Sequence, residues 1–170
     1  MNAIDATRET IGLVHDYLEA AIDGCEPETL TRVFPGATIG AILPIYIHAV
    51  DSEDWCFQQL IQNKPKLIES SKWYERWGVT PPGLGGEVDW SKVNVPLGEL
   101  REYAKAVYAA TDEWLNRATD ADLDQQIDWH SGQKKSAAWV IADTVHVHLS
   151  FHAGEISSLK GVMGLKGLPW

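Results

Sequence analysis

His148 and His152 stand four residues apart in the run His148-Leu-Ser-Phe-His152-Ala-Gly-Glu-Ile156. On a helix this spacing puts both imidazoles on one face, about 6 Å apart along the axis. Ile141, Val145, Ile156, Leu159 and Met163 continue that face at steps of three and four, so both histidines lie in an apolar stripe expected to point inward. Burying two unpaired imidazoles is costly, and a divalent metal ion is the partner that uses both. An open metal site takes three protein ligands and keeps a further position for water or substrate. The third candidate is His48, because no other His, Asp, Glu, Lys or Arg occurs between Arg32 and Asp51. Asp51 is placed to orient His48 or to add a weak ligand. Glu155, one turn past His152, is a weak candidate for a base or for an outer carboxylate. Histidines at this helical spacing also occur without metal, and a hydrogen-bonded core residue is the competing reading of His48.

The remaining histidines carry less. His15 suits core packing or a local hydrogen bond, His146 faces away from His148 towards solvent or an interface, and His130 sits in a turn with no evident partner. Other catalytic templates fail. Ser131 lacks the flanking glycines of a nucleophile elbow. Gly83-Leu-Gly-Gly86 lacks the strand, helix and lysine of a phosphate loop, and no H-E-x-x-H occurs.

Four substantial helices must position these side chains. The first spans about Thr7 to Ile22, with Ile11, Val14, Leu18 and Ala21 at helical spacing before Gly24 and Pro27. The second runs from Thr38, a candidate N-cap, to about Gln62, with Pro44 either kinking it or marking its true start. The third follows Pro96 and carries Leu97, Leu100, Ala104, Val107, Thr111, Trp114 and Ala118 on one stripe. The fourth runs from about Ser136 to Val162 and ends at Gly164. Between the second and third lies a connection far longer than bundles ordinarily use, with a short helix expected over about Leu67 to Trp77. Trp73, Tyr74, Trp77 and Trp90 in that connection either line the mouth of the site or pack on one another. A shorter connection, Thr119 to Lys135, holds Trp129 and His130.

The expected architecture is therefore all-α, four substantial helices in a single domain over residues 1–170. A formal net charge of −10, with no basic run longer than Lys134-Lys135, opposes nucleic-acid binding. Cys25 and Cys56 form no CxxC pair, which fits free thiols in a reducing compartment. No leader-like segment is visible, and the longest apolar run, Ile39 to Val50, is too short for a bilayer, so a cytoplasmic protein without membrane association is expected.

These residues carry a resemblance to the DinB-like superfamily. The matching features are His48-Ala-Val-Asp-Ser-Glu-Asp-Trp55, the His148-x-x-x-His152-Ala-Gly-Glu-Ile run, and the ending Leu-Lys-Gly-Val-Met-Gly-Leu-Lys-Gly-Leu-Pro-Trp170. The resemblance spans essentially the whole chain, and its C-terminal part is the most specific. It implies a four-helix bundle with a long crossover between helices two and three. It also implies one divalent ion, zinc or nickel, held by His48, His148 and His152, and a homodimer. Members of known activity include S-transferases and isomerases that use a low-molecular-weight thiol, and metal-dependent hydrolases, so the implied partner is a small-molecule substrate. The competing class is a non-catalytic protein whose metal is structural or sensory. Such a site should be sealed by a fourth protein ligand, for which Asp51 or Thr144 is a candidate, whereas an enzyme needs a cleft leading to the ion.

Overall fold

The computed structural model describes residues 2–36, 38–80, 88–90, 93 and 95–168, with the Ser131 side chain excepted. The Pro81-Pro82 and Gly83-Leu-Gly-Gly86 stretch lies outside the described residues, as does the Pro169-Trp170 ending. Helix α1 (Ala3–Ile22) starts at Asn2, whose side chain accepts a hydrogen bond from the Asp5 N–H. It buries the expected stripe of Ile11, Val14, Leu18 and Ala21. A short α2 (Pro27–Thr31) follows.

Helix α3 (Ile42–Asp54) begins four residues after the expected Thr38 cap. Pro44 falls in its first turn, where no intrahelical N–H is needed, so proline marks the start and does not kink the helix. The chain then continues as a π-helical segment, Trp55–Ile61. Short helices α4 (Leu67–Ser70) and α5 (Trp73–Trp77) occupy the long connection where one short helix was expected. Helix α6 (Leu97–Arg117) buries Leu100, Ala104, Val107, Thr111 and Trp114 as its pattern requires. The next connection contains α7 (Asp120–Leu123) and a small antiparallel pair, β1 (Gln126–Asp128) with β2 (Lys134–Ser136). The last long helix is built from α8 (Ala137–Ile141), a π-helical segment Ala142–Val147, and α9 (His148–Val162). Gly164, at φ +76, ends it in the left-handed conformation that glycine adopts without strain.

The result is an all-α four-helix bundle. Helix α1 packs along α9, α9 on α3, α3 on α6, and α6 back on α1, closing a ring around the core. Tyr46, Tyr103, Phe57, Leu18, Leu115 and Ile141 are among the fully buried residues. No helix among the described residues is long and apolar enough to cross a membrane.

Buried polar groups lock the helices in register. Lys160 is buried, and its ammonium donates to the carbonyls of Ala21 and Asp23 at 3.0 and 2.8 Å, satisfying the open end of α1 from α9. Asp54 is 1% exposed and accepts from the Leu67 and Ile68 N–H groups and from the Tyr103 hydroxyl, at 2.9, 3.0 and 2.8 Å. It thereby ties α3 to α4 and α6. Burial pushes its carboxyl up to about 6, against these hydrogen bonds, which favour the charged form. Replacing Asp54 with alanine strands three buried donors, and a loss of about 2–4 kcal/mol is expected in urea unfolding. A change below about 0.5 kcal/mol would mean that water replaces the carboxylate at no cost.

Candidate metal centre

Two helices bring the predicted histidines together. His48 projects from the middle of α3, while His148 and His152 are stacked one turn apart at the start of α9. His148 Nε2 lies 3.2 Å from His48 Nε2 and 2.9 Å from His152 Nε2. The ligating atoms of all three fall within 4.8 Å of one another. Both helices are π-wound beside the site, α3 just after Ser52–Asp54 and α9 just before His148. A π-turn widens the helix by one residue per bond and shifts the register of the turns after it, a device common at functional sites.

The protons decide what this triangle can hold. Glu155 Oε2 sits 2.6 Å from His152 Nδ1, so the His152 proton belongs on Nδ1 and its Nε2 presents a bare lone pair to the centre. His148 Nε2 meets two imidazole nitrogens at once and can offer only one proton or one lone pair. Burial, then His152, then His48 hold the His148 ring down to about 4, with the Thr144 backbone weakly opposing them. His148 is therefore neutral near pH 7, the state that ligates. A tetrahedral ion with bonds of about 2.0–2.1 Å separates neighbouring nitrogens by roughly 3.3 Å, close to the spacings seen. Surplus lone pairs at these separations fit a cation in the middle.

The surroundings correct several expectations. The apolar stripe predicted inward-facing histidines, yet His48 is exposed and His148 and His152 are half-buried, so the centre opens to solvent. The rest of α3 from Ile42 to Val50 is buried apart from Pro44, and His48 takes the remaining wet side. Asp51 neither orients His48 nor approaches the centre as a ligand. Its carboxylate is held by Lys66 Nζ at 2.8 and 3.1 Å. The Glu155 carboxylate lies within hydrogen-bond distance of His152 Nδ1 and not at the centre of the triangle. Trp73, Tyr74, Trp77 and Trp90 pack on one another and on Tyr103, which is the packing alternative.

A cleft of about 290 Å³ adjoins the histidines instead, lined by Ser52, Trp55, Trp129, His130, Asp143, Thr144, Val147, His148 and Phe151. His130, expected to lack a partner, stacks on Trp55 with ring centroids 5.8 Å apart and planes 16° from parallel. The signal that could have found this wall is the pairing of Trp129-His130 with Trp55, residues distant in sequence and aromatic alike. Thr144 Oγ1 is buried without a hydrogen bond among the described residues. His146, expected to face solvent or an interface, is half-buried; burial lowers its pKa, and its Nε2 has no hydrogen-bond partner among the described residues.

His15 lies deeper, as its core reading required. Its Nε2 sits 2.8 Å from a carboxylate oxygen of Glu53, which is fully buried and also accepts from Thr111 Oγ1 at 2.6 Å. Glu53 was missed in the sequence because spacing along the second expected helix does not show that His15 and Thr111 pack across from it.

No protein-family model matches the chain, and no curated protein matches it. Among solved structures it is similar to one described as the conserved protein of a locus from Enterococcus faecalis. The likeness has a TM-score of 0.81 at 18% sequence identity and covers 96% of this chain and 99% of that one. At that identity the likeness establishes the fold.

Proposed function

We propose that the chain is a single-domain, DinB-like protein whose His48, His148 and His152 hold one divalent ion, zinc or nickel. We infer further that it is an enzyme activating a low-molecular-weight thiol, or water, towards a small molecule held in the adjoining cleft. The carrying observation is the convergence of three imidazole Nε2 atoms at 2.9 and 3.2 Å, with the His152 proton drawn outward by Glu155. A divalent ion on three neutral imidazoles keeps its full charge and supplies the Lewis acidity that makes a thiol or a water a nucleophile near neutral pH. The chain's own residues do the rest. Glu155 fixes the His152 tautomer and orients its ring. His148 is shared between the centre and the cleft wall, which puts a cleft-bound molecule next to the ion. The absence of Asp51 from the centre and the exposure of His48 support an open catalytic site over a sealed structural one. The resemblance also makes a homodimer part of this reading, checked by analytical ultracentrifugation.

Cobalt(II) substitution tests the reading. The expected result is the visible absorption of a low-symmetry cobalt site, which gains a sulfur-to-cobalt charge-transfer band when a small thiol is added. A spectrum indistinguishable from aqueous cobalt would contradict it. Replacing Glu155 with alanine frees the His152 tautomer, and metal affinity should fall about 10–100-fold in a chelator competition. An unchanged affinity would show that Glu155 does not orient the ligand.

A further inference from the structure

With the proposed ion counted, the cleft beside the histidines is close to balanced in charge. Three neutral imidazoles leave a divalent ion both of its positive charges. Against them stand the Glu155 carboxylate on His152 and the Asp143 carboxylate in the cleft lining. Lys135 sits over the Trp139 ring at 4.8 Å, and neither residue is among the lining. Net charge therefore selects neither a cation nor an anion. What the ion asks of an occupant is one donor atom, an oxygen or a sulfur. It asks on the side formed by His148, a lining residue whose Nε2 is 3.2 Å from His48 Nε2 and 2.9 Å from His152 Nε2.

Much of the remaining lining is aromatic and apolar. Trp55 and His130 stack on one another, and Trp129 tilts against both. Val147 and Phe151, one residue before His148 and three after it, are 46% and 68% exposed. Two large apolar side chains are thus left in water within one turn of a proposed ligand. The cleft volume is about 290 Å³. A dry cavity of about 150 Å³ already takes benzene, so there is room for one ring and a short arm.

We propose that this cleft takes a small aromatic molecule ending in one oxygen or sulfur donor, its donor atom on the ion and its ring against Trp55, Trp129 and Phe151. This names the substrate class of the proposed metal centre and rests on that reading. The donor atom gives an attraction to the ion that any small ligand with the same head shares. Selection comes from the ring, which the aromatic walls cover and a polar arm does not replace.

The test uses two thiols of similar acidity, phenylmethanethiol with a ring and 2-mercaptoethanol with a hydroxyl. Each is titrated into the full chain loaded with cobalt(II), where the sulfur-to-cobalt band reports the donor atom on the ion. Each is also titrated by tryptophan fluorescence with chelator present, where only the walls can discriminate. The ring-bearing thiol should bind at least about tenfold more tightly in the cobalt arm, and it should remain the tighter of the two with chelator. Phe151→Ala removes an exposed ring and so leaves the core untouched. It should cut the preference at least about threefold while 2-mercaptoethanol binds as before. Val162→Ala, an exposed apolar change on α9 outside the cleft, should leave both affinities as they were. Equal binding of the two thiols, tighter binding of 2-mercaptoethanol, or a preference undiminished in Phe151→Ala would each overturn the proposal. The metal reading fails separately, by absence of cobalt binding. The chelated arm then still reads the walls, and equal quenching by the two thiols there would overturn the ring preference by itself.

Discussion

Replacing His148 with alanine is expected to weaken zinc or nickel binding by roughly a hundred- to a thousandfold. A structural zinc site is worth about 10–16 kcal/mol at neutral pH, or roughly 2.5–4 kcal/mol for each of four ligands. His148 would be the central ligand, since its Nε2 is the atom within 3.2 Å of His48 Nε2 and 2.9 Å of His152 Nε2. The ring is already neutral near pH 7, so its removal leaves no stranded charge, and the bundle should keep its helical circular dichroism. A competition titration against a chromophoric chelator reads the change. His146→Ala is the companion variant, two residues away and outside the triangle, and should bind as the unaltered chain does. Equal affinity in the two variants would mean that metal binds elsewhere.

Replacing His15 with alanine is the largest change in stability expected of a single side chain here, a loss of about 3–5 kcal/mol. Glu53 is fully buried, and without His15 only the Thr111 hydroxyl remains on its carboxylate among the described residues. That is a large share of the 5–15 kcal/mol by which domains are ordinarily stable. The effect has a pH signature. Burial pulls the His15 pKa down, but Glu53, through charge and hydrogen bonding, together with the charges of Asp112 and Glu19, outweighs it, and the net shift is upward. A histidine whose folded pKa is raised adds stability that is fully present below the unfolded value of about 6.5. That stability is lost as pH rises through the folded pKa. Urea unfolding at about pH 6 and about pH 9 should therefore show a larger gap between the natural chain and His15→Ala at the lower pH. A gap that is constant, or that grows with pH, would mean that the buried pair is neutral.

The candidate site was largely legible in the sequence, and the reasons are local. His148 and His152 were readable because helical spacing fixes which residues share a face, and the structure keeps both on α9. His48 was readable as the lone His, Asp, Glu, Lys or Arg between Arg32 and Asp51, though its exposure was not. The segment buries nearly every face, Tyr46 included with its hydroxyl on Glu19, and turns His48 to water, so the isolation that marked His48 also marked the solvent side. The π-helical segment Ala142–Val147 ahead of the pair was not legible, because one extra residue per turn leaves no periodic trace over so few positions. The strands Gln126–Asp128 and Lys134–Ser136 escaped for the same reason, being too short to show alternation. Asp51 was misassigned because spacing along α3 reveals a face but not what packs across it, and Lys66 comes from the next segment. The cleft was invisible for that reason too. Its walls, Trp55 on the extension of α3 and Trp129-His130 in the connection before α8, meet only in the folded chain.

The central claim is that His48, His148 and His152 hold one divalent ion, and elemental mass spectrometry of the purified, untagged protein tests it most directly. About one zinc or nickel ion per chain is expected, lost in His148→Ala with the helical content unchanged. No bound metal in the natural chain, even after zinc and nickel are supplied and the excess removed, would contradict the claim and leave the three imidazoles as a hydrogen-bonded cluster.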